Sequence, residues 1–181
     1  QSQCCIYSNI CIYYYQYIDN YLLIFLSPDV TSGKYLTEIS AQQLSWLEET
    51  LASNKTKPTL IFFHAPLAGT LAQYNKEVNT PNFIAQPEKQ LHELLMKNPQ
   101  ILLWVSGHTH TPATNPSFDE TINLYEGKIL DLHNPTLDGK IIWTNSIYLY
   151  PDKISIRTFN HKTGEFVESL DRTLPVNLAA K

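Results

Sequence analysis

The sequence predicts an α/β fold, a parallel β-α-β-α-β unit followed by antiparallel strands. Three observations predict it. Short apolar runs recur at residues 21–26, 59–63 and 101–105, with the length and bounds of buried strands. The segments between them carry leucines at helical spacing. Beyond residue 118 the pattern changes to β-rich pieces separated by turn residues. A strand–helix–strand alternation places the three strands parallel, with right-handed crossovers.

Residues 11–26, CIYYYQYIDNYLLIFL, are apolar enough to raise the question of a membrane span. The run is broken by Gln16, Asp19 and Asn20 and is shorter than the ~20 residues a membrane span needs. No basic segment precedes it, so it does not read as a signal peptide. Two strands joined by a tight turn at Asp19-Asn20 fit better. In the turn-rich stretch that follows, Ser40 is an N-cap with Gln43 three residues on, a capping box. Leu44, Leu47 and Leu51 then predict an amphipathic helix over 41–53. After TLIFF, residues 64–86 form a long polar loop. A second helix is predicted over 86–97, with Pro87 in its first turn and Leu91, Leu94 and Leu95 on one face. ILLWV is the third strand.

Four β-rich pieces follow: FDETINLYE, KILDL, KIIWTNSIYLYP and KISIRTFN. Their turns carry Gly127, Asp138-Gly139 and Pro151-Asp152. Ile154, Ile156 and Thr158 alternate with Ser155 and Arg157, as in an antiparallel sheet with one covered face. One domain over 1–181 is expected, with 1–11 unassigned and 173–181 a loose tail.

The net charge is −4, with 43% hydrophobic and 17% charged residues. No Lys/Arg run occurs, so a nucleic-acid-binding face is not expected, and no membrane partner is expected either. A phosphate-bearing substrate would draw its positive charge from something other than a Lys/Arg cluster, bound metal being one candidate. Cys4, Cys5 and Cys11 are expected to be free thiols, and a cytoplasmic location is favoured.

The chemistry lies at the strand ends. His64 directly follows TLIFF, and His108 and His110 directly follow ILLWV on a Gly107 turn. Parallel strands bring their C-terminal ends to one edge, where α/β proteins bind ligands. Three imidazoles therefore converge as metal ligands. Alternate residues of an extended H-x-H would also share a side. Asp29, after the first parallel strand, lies on the same edge but also fits an ordinary turn. The loop over 65–85, with Tyr74, Asn75 and Lys76, overhangs that edge and reads as a substrate lid or an insertion. Tyr74, Asn75 and His133 are the weaker substrate candidates, His133 being first a structural residue. His92 reads as solvated on a helix, and His161 as a hairpin-turn residue.

FHAP at one strand end and SGHTH at the next resemble the calcineurin-like metallophosphoesterases. The helix ISAQQLSWLEETLA and the later β-rich stretch are similar to parts of the same family, so the resemblance covers about residues 12–172. It implies a layered α/β/β/α sandwich and a phosphatase or phosphodiesterase with two divalent ions (Mn, Fe or Zn). His64 and His108 would bind one ion and His110 the other. Hydroxide activated between the ions would attack phosphorus in line. The family draws its remaining ligands, and the histidine that assists the leaving group, from an N-terminal half with D-x-H, G-D-x-x-D/N and G-N-H-D/E motifs. None of these motifs, D-x-H included, is expected anywhere in this chain. The chain is therefore expected to represent the C-terminal half of such a domain and to have little activity alone. Its partners would be a phosphoester and either the missing half or a second copy. Two other readings stay open: a mononuclear zinc protein with three histidine ligands, and a non-catalytic binding or assembly module with a large apolar face.

Overall fold

The computed structural model describes residues 4–7, 10–30, 32–118, 121–137 and 141–176. A first sheet is built from β1 (Cys4–Tyr7), β2 (Ile10–Ile18), β3 (Tyr21–Phe25), β4 (Thr59–Phe62), β5 (Ile101–Ser106), β6 (Leu124–Tyr125) and β7 (Ile129–His133). Their order across the sheet is β1-β2-β3-β4-β5-β7-β6. The hairpin β2–β3 turns at Asp19-Asn20 as expected, with Asp19 in the left-handed region at φ 50°. β3, β4 and β5 are parallel neighbours. The side chains of the three cysteines lie outside the described residues, as does the Asp138-Gly139 turn.

Both helices cover one face of this sheet. α1 (Ala41–Ala52) starts at Ser40, whose side chain accepts from the Gln43 amide. The capping box closes only on that side. The Gln43 carboxamide instead accepts from Ser27 N–H (2.9 Å) and donates to the Ser27 carbonyl (2.8 Å), so the helix start is tied to the turn after β3. α2 (Glu88–Lys97) begins two residues later than expected, because Pro87 is its extended N-cap rather than its first turn. Leu47, Leu51, Leu91 and Leu95 pack with Leu22, Ile24, Ile61 and Trp104 in one core.

The opposite face meets a second sheet of β8 (Trp143–Leu149), β9 (Lys153–Asn160), β10 (Glu165–Phe166) and β11 (Arg172–Pro175). Ile154 and Ile156 seal it against Leu23, Leu60 and Leu103. The Tyr21 hydroxyl donates to the Tyr150 carbonyl (2.6 Å) and pins the two sheets together.

The expected layered sandwich around a parallel β-α-β-α-β unit is present. Among the described residues its layers are α/β/β, and no α-helix of theirs forms the outer layer of an α/β/β/α arrangement. The outer side of the second sheet carries Thr144, Ser146, Lys153, Ser155 and Arg157 together with the aromatic Tyr148 and Phe159. Three local expectations are corrected. KILDL forms β7, which runs parallel to β5 rather than antiparallel; a long connection carries the chain back before β6 reverses it. Among its described residues, FDETINLYE holds the last residue of one 3-10 turn (Pro116–Phe118), a second 3-10 turn (Thr121–Asn123) and a two-residue strand. Arg172–Pro175 is no tail: it pairs with β9, and Leu174 packs into the second core.

Candidate metal centre

β4 and β5 end side by side. Gly107 N–H donates to the His64 carbonyl (3.0 Å) and locks the two ends in register. The imidazoles of His64 and His108 meet there: His64 Nε2 lies 2.9 Å from His108 Nδ1. The other nitrogen of His108, Nε2, lies 2.8 Å from the Asn82 carbonyl. A carbonyl only accepts, so Nε2 carries the proton and Nδ1 presents a lone pair, to which His64 Nε2–H donates; an ion between the two rings would take the place of that His64 proton. The Phe83 ring packs against the same imidazole at 5.2 Å. A backbone carbonyl on the second nitrogen is how proteins orient metal-binding histidines.

Burial lowers the His64 pKa, and the neighbouring His108 and His110 imidazoles lower it further. His64 thus favours the neutral form, the form that binds metal. Two imidazole nitrogens on one tetrahedral ion would stand about 3.3 Å apart, given bonds of ~2.0–2.1 Å. The observed 2.9 Å needs an opening of only a few tenths of an ångström. Two nitrogens of this pair fit one ion. A whole ligand set is not assembled: among the described residues, no three His, Cys, Asp or Glu side chains gather closely enough to hold a metal.

His110 is not gathered with the pair into a ligand set among the described residues, and after burial and His108 it adds to the lowering of the His64 pKa. The H-x-H stretch is not extended. His108 and His110 both have left-handed φ, 65° and 49°, and Thr109 N–H turns back to the Gly107 carbonyl (2.7 Å). Such backbone costs on the order of 1–3 kcal/mol per residue and concentrates at functional sites. Alternation along an extended H-x-H is therefore not what aligns the imidazoles. The parallel strand ends bring His64 and His108 together.

The remaining candidates have structural partners. Asp29 closes a local turn through its carboxylate, which accepts from Ser32 N–H (3.1 Å) and Ser32 O–H (2.6 Å). The Asn75 carboxamide oxygen accepts from the Glu77 and Val78 amides, both at 2.9 Å. The Tyr74 hydroxyl donates to the Thr109 carbonyl, inside the His108–His110 turn. The loop over 65–85 is neither a loose insertion nor detached from the sheet. It closes on itself through Ala85 N–H to the Pro66 carbonyl (2.8 Å) and buries Leu67, Leu71, Val78 and Ile84. His92 is half-exposed but not simply solvated, since its Nδ1 lies 2.9 Å from the Tyr125 hydroxyl. His161 sits in the turn after β9, with Nε2 2.8 Å from Thr144 Oγ1.

His133 is only 2% exposed. Its Nε2–H donates to the Thr70 carbonyl (3.0 Å), and its Nδ1 lies 3.0 Å from Ser106 Oγ. Both nitrogens are thus engaged inside the protein, which leaves none to meet a substrate. Sequence reasoning missed its neighbour Asp131. Asp131-Leu132-His133 does spell D-x-H, and that tripeptide was the available signal. It follows the metal-site histidines instead of preceding them, and Asp131 is wholly buried.

Residues 7–112 match the model of the calcineurin-like phosphoesterases, more than half of the 181 residues. The chain belongs to the calcineurin-like phosphoesterase family. Both imidazole-bearing strand ends lie inside the matched segment. Among solved structures the fold is similar to a dimetal phosphatase from Danio rerio, at 19% identity and a TM-score of 0.53. The likeness covers 77% of this chain but 39% of that one, so this chain spans well under half the length of that phosphatase. No curated protein matches.

Proposed function

We propose that this chain supplies the imidazole side of a metal-dependent phosphoester hydrolase, acting as a phosphatase or phosphodiesterase. The observation that carries the proposal is the facing pair, His64 Nε2 and His108 Nδ1, 2.9 Å apart at the ends of adjacent parallel strands. Membership in a phosphoesterase family supports a phosphoester substrate and divalent ions. In the complete site, His64 and His108 would hold one ion and His110 a second. Bound ions would supply Lewis-acid activation and charge compensation at the phosphoryl group.

The chain's own residues orient this pair. The Asn82 carbonyl sets the His108 tautomer, and the Gly107 amide holds the two strand ends together. Among the described residues the site has imidazoles but no gathered carboxylates, and neutral imidazoles alone hold a second hard divalent ion poorly. Little or no turnover is therefore expected from the 181 residues by themselves. Assay of the pure chain with Mn²⁺ on p-nitrophenyl phosphate and its bis ester tests this. Background rates support the reading, and clear turnover lost in H108A would show that the 181 residues suffice.

A further inference from the structure

Behind the two histidines lies a carboxylate with no role in the reading above. Asp131, on β7, is 0% exposed. Its Oδ1 accepts from the Ser106 hydroxyl (2.7 Å). Its Oδ2 accepts from the Leu67 amide (2.7 Å) and the Thr70 hydroxyl (2.8 Å). Ser106 ends β5, two residues before His108. Leu67 stands three residues after His64. One carboxylate therefore grips both of the segments that carry the imidazole pair.

We propose that Asp131 is a positioning residue for the His64–His108 pair, holding the two strand-end segments at ligating distance through Ser106 on one side and Leu67 on the other. His133 completes the brace. Its Nε2–H holds the Thr70 carbonyl, and its Nδ1 faces Ser106 Oγ. Ser106 has a single hydroxyl proton and two acceptor neighbours, so Asp131 and His133 share it. Buried polar networks of this kind rigidify what they connect when every member is satisfied, and groups behind metal ligands commonly tune affinity by about 10–100-fold. Burial also pushes the Asp131 carboxyl up, against the lowering effects of His133 and its hydrogen-bond donors. The protonated form would still satisfy the network by donating to Ser106, which would then donate to His133.

The inference rests on the metal-site reading, and its test separates the two. The readouts on the 181-residue chain are the nuclear Overhauser contact between the His64 and His108 rings without metal, exchange protection of the Leu67 amide, and Co²⁺ affinity by absorbance. D131N should keep all three. Its carbonyl accepts from Leu67 and Thr70, and its amide donates to Ser106, which turns its proton to His133. D131A should lose the ring contact and weaken Co²⁺ binding by about tenfold or more. Should D131A not fold, S106A decides. It severs the arm toward His108 together with the Ser106–His133 contact and leaves the Leu67 arm in place, so Leu67 stays protected while the ring contact weakens and Co²⁺ affinity drops. An unchanged ring contact and Co²⁺ affinity in S106A would overturn the inference, as would a D131N variant as damaged as D131A. If the unaltered chain binds no Co²⁺, the metal reading fails, and the ring contact still decides the brace.

Discussion

His108 divides its two ring nitrogens between a side chain and a backbone group. Nδ1 faces His64 Nε2 at 2.9 Å, and Nε2–H donates to the Asn82 carbonyl at 2.8 Å. This relationship assigns each nitrogen a role before any ion arrives. The expected outcome is that His108 is an Nε2–H tautomer in the metal-free chain. Long-range nitrogen–proton NMR checks it directly. A His108 protonated only at Nδ1 would leave Nε2 with no proton to give the Asn82 carbonyl, and the assignment of the two ring nitrogens would then be wrong.

Asp131 makes a signed prediction about pH. Its pKa is raised from 3.8 in the folded chain, so the folded state holds the proton more tightly than the unfolded one. Stability from this group is present in full below the unfolded value and is lost as pH rises through the folded value. D131N has no such dependence. Denaturant midpoints measured from about pH 4 to pH 8, bracketing the region above the free carboxylate value, should therefore favour the native chain over D131N increasingly as pH falls. A gap that widens in the opposite direction would mean that the buried carboxylate is held ionised.

Trp104 ties the main core to the site. It is 0% exposed, and its indole N–H donates to the Ala65 carbonyl (3.0 Å), next to His64. Trp104→Ala should cost about 3–5 kcal/mol, read from urea unfolding. Trp104→Phe keeps most of the packing but leaves the buried Ala65 carbonyl without its donor, at a cost of about 1–3 kcal/mol. Equal losses in the two variants would mean that packing volume is not what holds this position.

Most of the sheet's parallel centre is legible in the sequence because β3, β4 and β5 are buried on both faces and read as continuous apolar runs. The helix faces are legible from leucine spacing. β7 is harder. KILDL has the composition of any short strand, and its direction is set by a connection with almost no regular structure. Arg172–Pro175 reads as tail because its residues are mixed, yet β9 offers an edge for it to pair with. At the site, residue identity is readable and conformation is not. Nothing in G-H-T-H announces two left-handed histidines. The Asn82 contribution is a backbone carbonyl, invisible to any reading of side chains. Asp131 could have been seen, but an Asp in an apolar strand reads as a surface residue until its three donors are in view.

Calorimetric titration with Zn²⁺ asks most directly whether His64 and His108 form a metal site. Weak, saturable binding to the native chain is expected, abolished in His108→Ala and retained in a distant control such as His161→Ala. No saturable binding, or binding that survives His108→Ala unchanged, would contradict the assignment of the pair as metal ligands.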